Sequence, residues 1–256
     1  MKILVLIKVV PDTWGQRKLE LTSGLLDRQA GDPVIDEIGE RALEVALTHK
    51  DQHKGTEVVI VSMGPQSSAK LLLKGLAMGA TSALHLVDDD LVGADLLATA
   101  AALAALIRAE GFDLVLAGNE STDGRGGVIP AMLAEHLDVP HLTFLDSLHI
   151  AEDRVRGERA TDHGHLVVGA TLPAIVSITE RLPDARFPNL KGMMTAKKKP
   201  MATYALADLA LRDTRSARSV IVSTTERPAR ATGVKVVDSG NAGNELADFL
   251  ASKRLI

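Results

Sequence analysis

The segment Gly118-Asn119-Glu120-Ser121-Thr122-Asp123-Gly124-Arg125-Gly126-Gly127 has the residue types needed to hold a phosphate. It carries four glycines, two hydroxyls and one arginine, and an apolar helical pattern starts at Val128. Glycines let successive backbone N–H groups turn toward a ligand, and a helix start adds partial positive charge. Arg125 could neutralise a phosphate oxygen. A tight strand-to-helix turn with solvated polar groups would use the same residue types. The glycines beside an arginine favour the cradle over that plain turn. The segment is not a dinucleotide fingerprint, because Ile129 stands where its last glycine belongs, and the chain has no Gly-Lys-Ser/Thr P-loop. Nicotinamide chemistry and P-loop phosphoryl transfer are therefore disfavoured.

A second segment, Leu182 to Pro200, joins an apolar cluster to a cationic run. Phe187, Leu190, Met193 and Met194 need a neighbour or a partner to cover them. Pro183 and Pro188 predict a stiffened loop, with neither strand nor helix before Gly192. Lys197, Lys198 and Lys199 are too few for a nucleic-acid site in an acidic chain and read equally as a solvated element end. The remaining candidates are weaker. His163 and His165 flank Gly164 beside Asp162, but alternating residues in a hairpin turn face solvent, and no further metal ligand is in view. His85 on an apolar strand reads as a hydrogen-bonded core histidine. No Ser-His-Asp signature and no paired-carboxylate motif stands out. The chain reads as a nucleotide-binding protein without a catalytic engine.

The elements that must position these residues alternate. Ile3–Val10, Glu57–Met63, Ala83–Val87 and Phe112–Ala117 read as strands. Asp36–Lys50, Ser67–Met78, Asp95–Glu110 and Val128–Leu137 read as helices, with Asp36, Glu37 and Glu40 in the first turn of the earliest one. This rhythm predicts an α/β fold, a doubly wound, mostly parallel Rossmann-like sheet with right-handed crossovers. Ligands bind such sheets at the carboxyl ends of the strands, here Lys8–Asp12, Met63–Gln66 and Gly118–Gly127. After Pro140, Ser147–Ile150, Arg154–Ala160, Leu166–Ala170 and Ala174–Thr179 read as β-hairpins added at a sheet edge. Met201–Leu211 reads as a short helix, Ser219–Val222 as a strand-like patch, and Asn244–Arg254 as a last helix. Residues 1–195 form the expected α/β domain and 196–256 an arm too poor in core positions to fold alone.

Composition agrees with this reading. Hydrophobic residues make up 46% and aromatics only 2%, so the core is Ala, Val, Leu and Ile, which suits helices packed on a parallel sheet. The net charge of −4 excludes a general nucleic-acid binder. The absence of cysteine excludes disulfides, thiolate catalysis and cysteine-ligated clusters. Met1 leads into an apolar run without signal-peptide layout, and Leu96–Ile107 is too short to span a bilayer. The expectation is a soluble, cytoplasmic protein.

These residues resemble the electron-transfer flavoprotein β-subunit family. Its signature matches Leu172-Pro173-Ala174, then Arg186-Phe187-Pro188-Asn189-Leu190, then Met193-Met194-Thr195-Ala196-Lys197-Lys198-Lys199. VLIKVVPDT, VSMGP, LAMGA, LVLAGNESTDGRGG and the closing TGVKV follow in the family's order. The resemblance implies an α-subunit partner that holds most of a shared FAD, and a structural AMP in this chain. It implies an AMP pocket lined by Leu6, Asp36, Glu37, Ile38, Gly39, Met63, Gly118, Asn119, Asp123, Gly124, Arg125, Gly126, Gly127 and Val128. It also implies a recognition loop in which Arg186, Phe187, Leu190, Met193 and Met194 bind partner dehydrogenases such as acyl-CoA dehydrogenases, with Leu190 as anchor. Electrons would then pass to a quinone-linked oxidoreductase.

Two departures from the family stand out. Trp14 stands where many members place a tyrosine near the flavin, and either takes over that packing or covers the core edge. Bifurcating relatives with a second FAD tend to carry Thr-Ala-Gln-Val where this chain has Arg125-Gly126-Gly127-Val128, which favours AMP. Two other classes remain open: a stand-alone adenine-nucleotide sensor of the stress-protein kind, and a nucleotide-dependent ligase or hydrolase. The hairpins and long tail count against the first, and the missing catalytic motif against the second.

Overall fold

Short apolar strands alternate with helices to build one large parallel sheet in the computed structural model, which describes residues 1–209, 211, 217–230, 232–233 and 235–256. The chain runs β1 (Lys2–Leu6), β2 (Val9–Pro11), β3 (Pro33–Ile35), α1 (Glu37–Gln52), β4 (Glu57–Met63), α2 (Ala69–Met78), β5 (Ser82–Leu86) and α3 (Leu96–Glu110). It continues through β6 (Leu114–Gly118), α4 (Ile129–Leu137), β7 (His141–Leu145), β8 (Ser147–Ile150), β9 (Arg154–Thr161), β10 (Gly164–Thr171), β11 (Ala174–Ile178), α5 (Leu190–Ala196), β12 (Met201–Tyr204) and α6 (Ala242–Ser252).

The seven-stranded sheet has the order β12-β5-β4-β1-β6-β11-β7, and every neighbouring pair is parallel. Its strands are apolar on both faces because both are covered. Ile3, Val5, Val58 and Ile60 meet Leu43, Leu47, Leu72 and Leu76 of α1 and α2. Leu4, Val59, Val61 and Val115 meet Leu103, Leu106, Ile107 and Leu133 of α3 and α4. This is the doubly wound arrangement. The strand order reverses direction at β1, which opens a crevice beyond the carboxyl ends of β4, β1 and β6.

The helix starts follow their capping residues. The Asp36 side chain accepts from the Ile38 N–H, and Asp95 from Ala98, while Gly79 ends α2 at φ 140°.

Several elements differ from expectation. The apolar run Ile3–Val10 breaks at Ile7-Lys8 into β1 and β2, because Lys8 turns away to bond Ser121 and Asp123. Ala174–Ile178 is not an edge hairpin: β11 lies inside the main sheet between β6 and β7, fully buried as its AIVSI sequence demands. β8, β9 and β10 are antiparallel as expected, but form a sheet of their own. Met201–Leu211 is not a helix. Pro200 leads instead into β12, which pairs with β5, and a single 3₁₀ turn follows at Leu206–Asp208; position 210 lies outside the described residues. The main sheet therefore reaches into the expected arm. Ser219–Val222 forms no strand.

The segment after Pro188 is not all loop. Asn189 accepts the Gly192 N–H at 2.7 Å and so starts α5 directly after the proline. His85 is fully buried, but neither ring nitrogen has a hydrogen-bond partner in range. Burial pushes its pKa down, an effect that the nearby Gly64 backbone partly offsets.

Candidate functional site

Asp36 joins the two halves of the crevice. It is only 2% exposed, and its second carboxylate oxygen accepts from the Thr122 N–H at 2.6 Å and the Thr122 hydroxyl at 2.8 Å. One carboxylate thus caps α1 and pins the glycine-rich loop. Gly39 lies beside the Leu6 carbonyl and Ile7, while Gly118 sits so close to the Ile38 side chain that a larger residue would crowd it. Leu6 and Met63 pack on the α3/α4 side of the sheet. Leu6, Asp36, Ile38, Gly39, Met63 and Gly118 therefore gather at the strand ends. Glu37 does not join them. Its side chain lines a cavity of about 290 Å³ on the α1 surface with Glu40, Arg41, Lys74 and residues 184–187.

The glycine-rich loop is held by charge. The first carboxylate oxygen of Asp123 accepts from Lys8 Nζ and from the Ser121 hydroxyl, both at 2.7 Å, and the second accepts from Arg28 at 3.2 Å. Burial raises the Asp123 pKa, but Lys8, Ser121 and Arg28 outweigh that and hold it at about 2 instead of 3.8. A carboxyl lowered by folding stabilises above its ordinary pKa and loses that contribution as pH falls toward the folded value. Because Lys8 is half exposed, we expect the cluster to contribute roughly 1–2 kcal/mol near neutral pH. Asp123→Asn should therefore cost that much at pH 6 and about half of it at pH 3. Urea unfolding at the two pH values checks this, and an equal gap at both would remove the ionised carboxylate as the source.

Arg125 and Gly127 adopt positive φ of 49° and 65°, and the Phe144 ring packs against Gly127. The N–H groups of Gly126, Gly127 and Val128 donate to no carbonyl or side chain among the described residues. Asn119 Oδ1 and Arg17 Nε are buried without a protein partner. A buried orphan acceptor and donor beside free backbone N–H groups fit a nucleotide with a base edge and a phosphate.

Arg17 and Arg28, which lie outside the expected site, join it. Arg17 reaches the Thr122 carbonyl and hydroxyl from 105 positions away, a proximity without local signal. Trp14 lies in the same segment, is 96% exposed and covers no core edge.

The segment expected to dock is fastened to α1 and α2. Phe187 is 92% exposed and Leu190 71%, with Met193 and Met194 beside them on α5. Lys199 points inward, its ammonium donating to the Leu76 and Ala80 carbonyls at the end of α2. Lys197 and Lys198 are exposed. His163 and His165 are exposed in and beside the β9–β10 turn. Among the described residues no group of three His, Asp or Glu could hold a metal, and no helix is long and apolar enough to cross a membrane.

A doubly wound sheet with a glycine-rich, phosphate-type loop at its switch point defines an α/β protein of the nucleotide-binding class, here with an exposed apolar ridge on 187–194. The electron transfer flavoprotein domain model matches residues 23–209. The chain is 44% identical to the electron transfer flavoprotein subunit beta of Mycobacterium bovis, over 99% of both chains. It is 33% identical to the subunit of that name in Syntrophomonas wolfei, over 98% of this chain and 96% of the relative. It is 32% identical to the caffeyl-CoA reductase-Etf complex subunit CarD of Acetobacterium woodii, over 99% and 97%. The chain belongs to the electron transfer flavoprotein β-subunit family, whose members are flavoproteins of electron transport.

Proposed function

We propose that the chain is the β subunit of a heterodimeric electron carrier and not itself an enzyme. Its α partner holds most of an FAD, and the strand-end crevice here holds an AMP of structural role. The flavin supplies the redox chemistry. This chain's own residues do three things. Asp36, Thr122 and the loop from Asn119 to Val128 bind and shape the nucleotide site. Phe187, Leu190, Met193 and Met194 dock on donor dehydrogenases such as acyl-CoA dehydrogenases. The arm beyond β12 lies along the α subunit, where the exposed Leu246 and Phe249 of α6 would find cover. Electrons then leave for a quinone-linked oxidoreductase.

The observation that carries this reading is the separation of the two surfaces. The nucleotide crevice lies at the strand ends, while the apolar ridge lies on α5 and the turn before it. An apolar anchor with a thin polar rim gives specific but short-lived docking, which a shuttle requires.

Co-purification with the α subunit tests the proposal. The heterodimer should be yellow and release about one FAD and one AMP on denaturation, with the chain alone binding little flavin. A chain ending at residue 228 should keep its fold and bind α poorly. Release of FAD alone would sink the AMP assignment. Two flavins would replace it with the second-FAD reading.

A further inference from the structure

Arg186 begins the docking ridge, yet its guanidinium turns away from it. The backbone N–H and Nε of Arg186 donate to one oxygen of Glu44 at 3.0 and 2.8 Å, and a terminal nitrogen donates to the other oxygen at 2.8 Å. The remaining terminal nitrogen reaches Asp51 at 2.8 Å. Glu44 and Asp51 lie on α1. The arginine of that helix, Arg41, pairs with Asp184 and donates to the Leu182 carbonyl, and Leu182 itself is buried. Two arginine–carboxylate clasps thus fasten 182–186 to α1, while α5 packs on α2 through Gly192.

We propose that Arg186 is a positioning residue for docking: fastened to Glu44 and Asp51, it fixes the Phe187–Met194 ridge in the geometry a partner dehydrogenase receives. This rests on the reading of that ridge as the docking surface. Bidentate pairing needs the planar guanidinium, which lysine cannot reproduce. Burial raises the Glu44 carboxyl, but the hydrogen bonds and charge of Arg186 outweigh it and hold it below the ordinary glutamate range, so the pair stays ionised near neutral pH. A pre-ordered ridge binds without the ordering cost that a loose one must meet. Loosening it raises the carrier concentration needed for docking and leaves the electron-transfer step itself untouched.

The test uses the complete heterodimer, reduced by an acyl-CoA dehydrogenase and its acyl-CoA. Glu44→Gln and Arg186→Lys should each raise the KM for the carrier about tenfold, with kcat and the flavin absorbance spectrum unchanged. Hydrogen exchange at amides 187–194 should quicken in both variants, and the double variant should be no worse than either single one, as for partners in one contact. If Arg186 touched the dehydrogenase directly, Glu44→Gln would leave KM at or below the wild-type value while Arg186→Lys raised it. That pattern would overturn the proposal. Leu190→Ala separates the underlying reading: it should raise KM with normal exchange in 187–194. Wild-type KM in Leu190→Ala would mean that the ridge is not the docking surface, and the positioning role would fall with it.

Discussion

Asp36→Ala is expected to destabilise the protein by about 3 kcal/mol and to empty the nucleotide crevice. Two losses combine. The α1 N-cap disappears, which costs about 1 kcal/mol. The Thr122 N–H and hydroxyl, both bonded to Asp36 and buried, then lose their shared acceptor, at about 1–3 kcal/mol. For a chain of this size the melting temperature should fall by roughly 10 °C. Arg17 still bonds the Thr122 carbonyl and hydroxyl, so the loop loosens without detaching. Asp36→Asn should lose much less, because an amide oxygen can take over part of the acceptor role. Thermal unfolding and assay of released nucleotide check both variants. Full nucleotide content in Asp36→Ala would show that the loop shapes itself without α1.

The main sheet was legible because burial on both faces writes itself as unbroken apolar runs. Glu57–Met63 has this form, and so does the core of β1. The crevice followed, since right-handed crossovers from β1 to β4 and from β5 to β6 leave those strand ends side by side. β11 has the same kind of run, AIVSI, but it follows three hairpin strands in sequence and so read as one more. Its true place depends on pairing with β6, a contact made only after the whole β7–β10 excursion. α5 was legible in principle. Asn189 is a favoured N-cap residue, and the two prolines masked it. The positions of Arg17, Arg28 and Arg186 were not legible. Each reaches a partner that no spacing rule connects, and the resemblance placed Arg186 among the contact residues when its guanidinium faces α1.

One helix serves both surfaces. The first residue before α1 holds the glycine-rich loop, and its exposed side holds the start of the docking segment through Arg41, Glu44 and Asp51. Sixteen residues of helix make a stiff spacer. The start of the ridge and the glycine-rich loop are therefore both fastened to the same helix.

The other end of the ridge depends on Gly192, and its replacement is the second large effect expected. A Cβ there would stand 2.1 Å from the Ala77 carbonyl oxygen, closer than any side chain tolerates and against backbone that cannot swing aside. Ala77 lies in the last turn of α2, which the Lys199 ammonium also binds, so yielding would disturb both anchors of α5. Gly192→Val should cost about 2–3 kcal/mol, an overpacking cost. Gly192→Ala should carry most of that cost, because the clash begins at Cβ. The better intrinsic helix propensity of alanine, worth about 1 kcal/mol over glycine, works in the opposite direction and gives the test its edge. If α5 were not packed on α2, Gly192→Ala would raise the melting temperature. If it is packed as described, the melting temperature falls, and the KM for reduction by an acyl-CoA dehydrogenase rises as α5 carries Leu190, Met193 and Met194 away from their places.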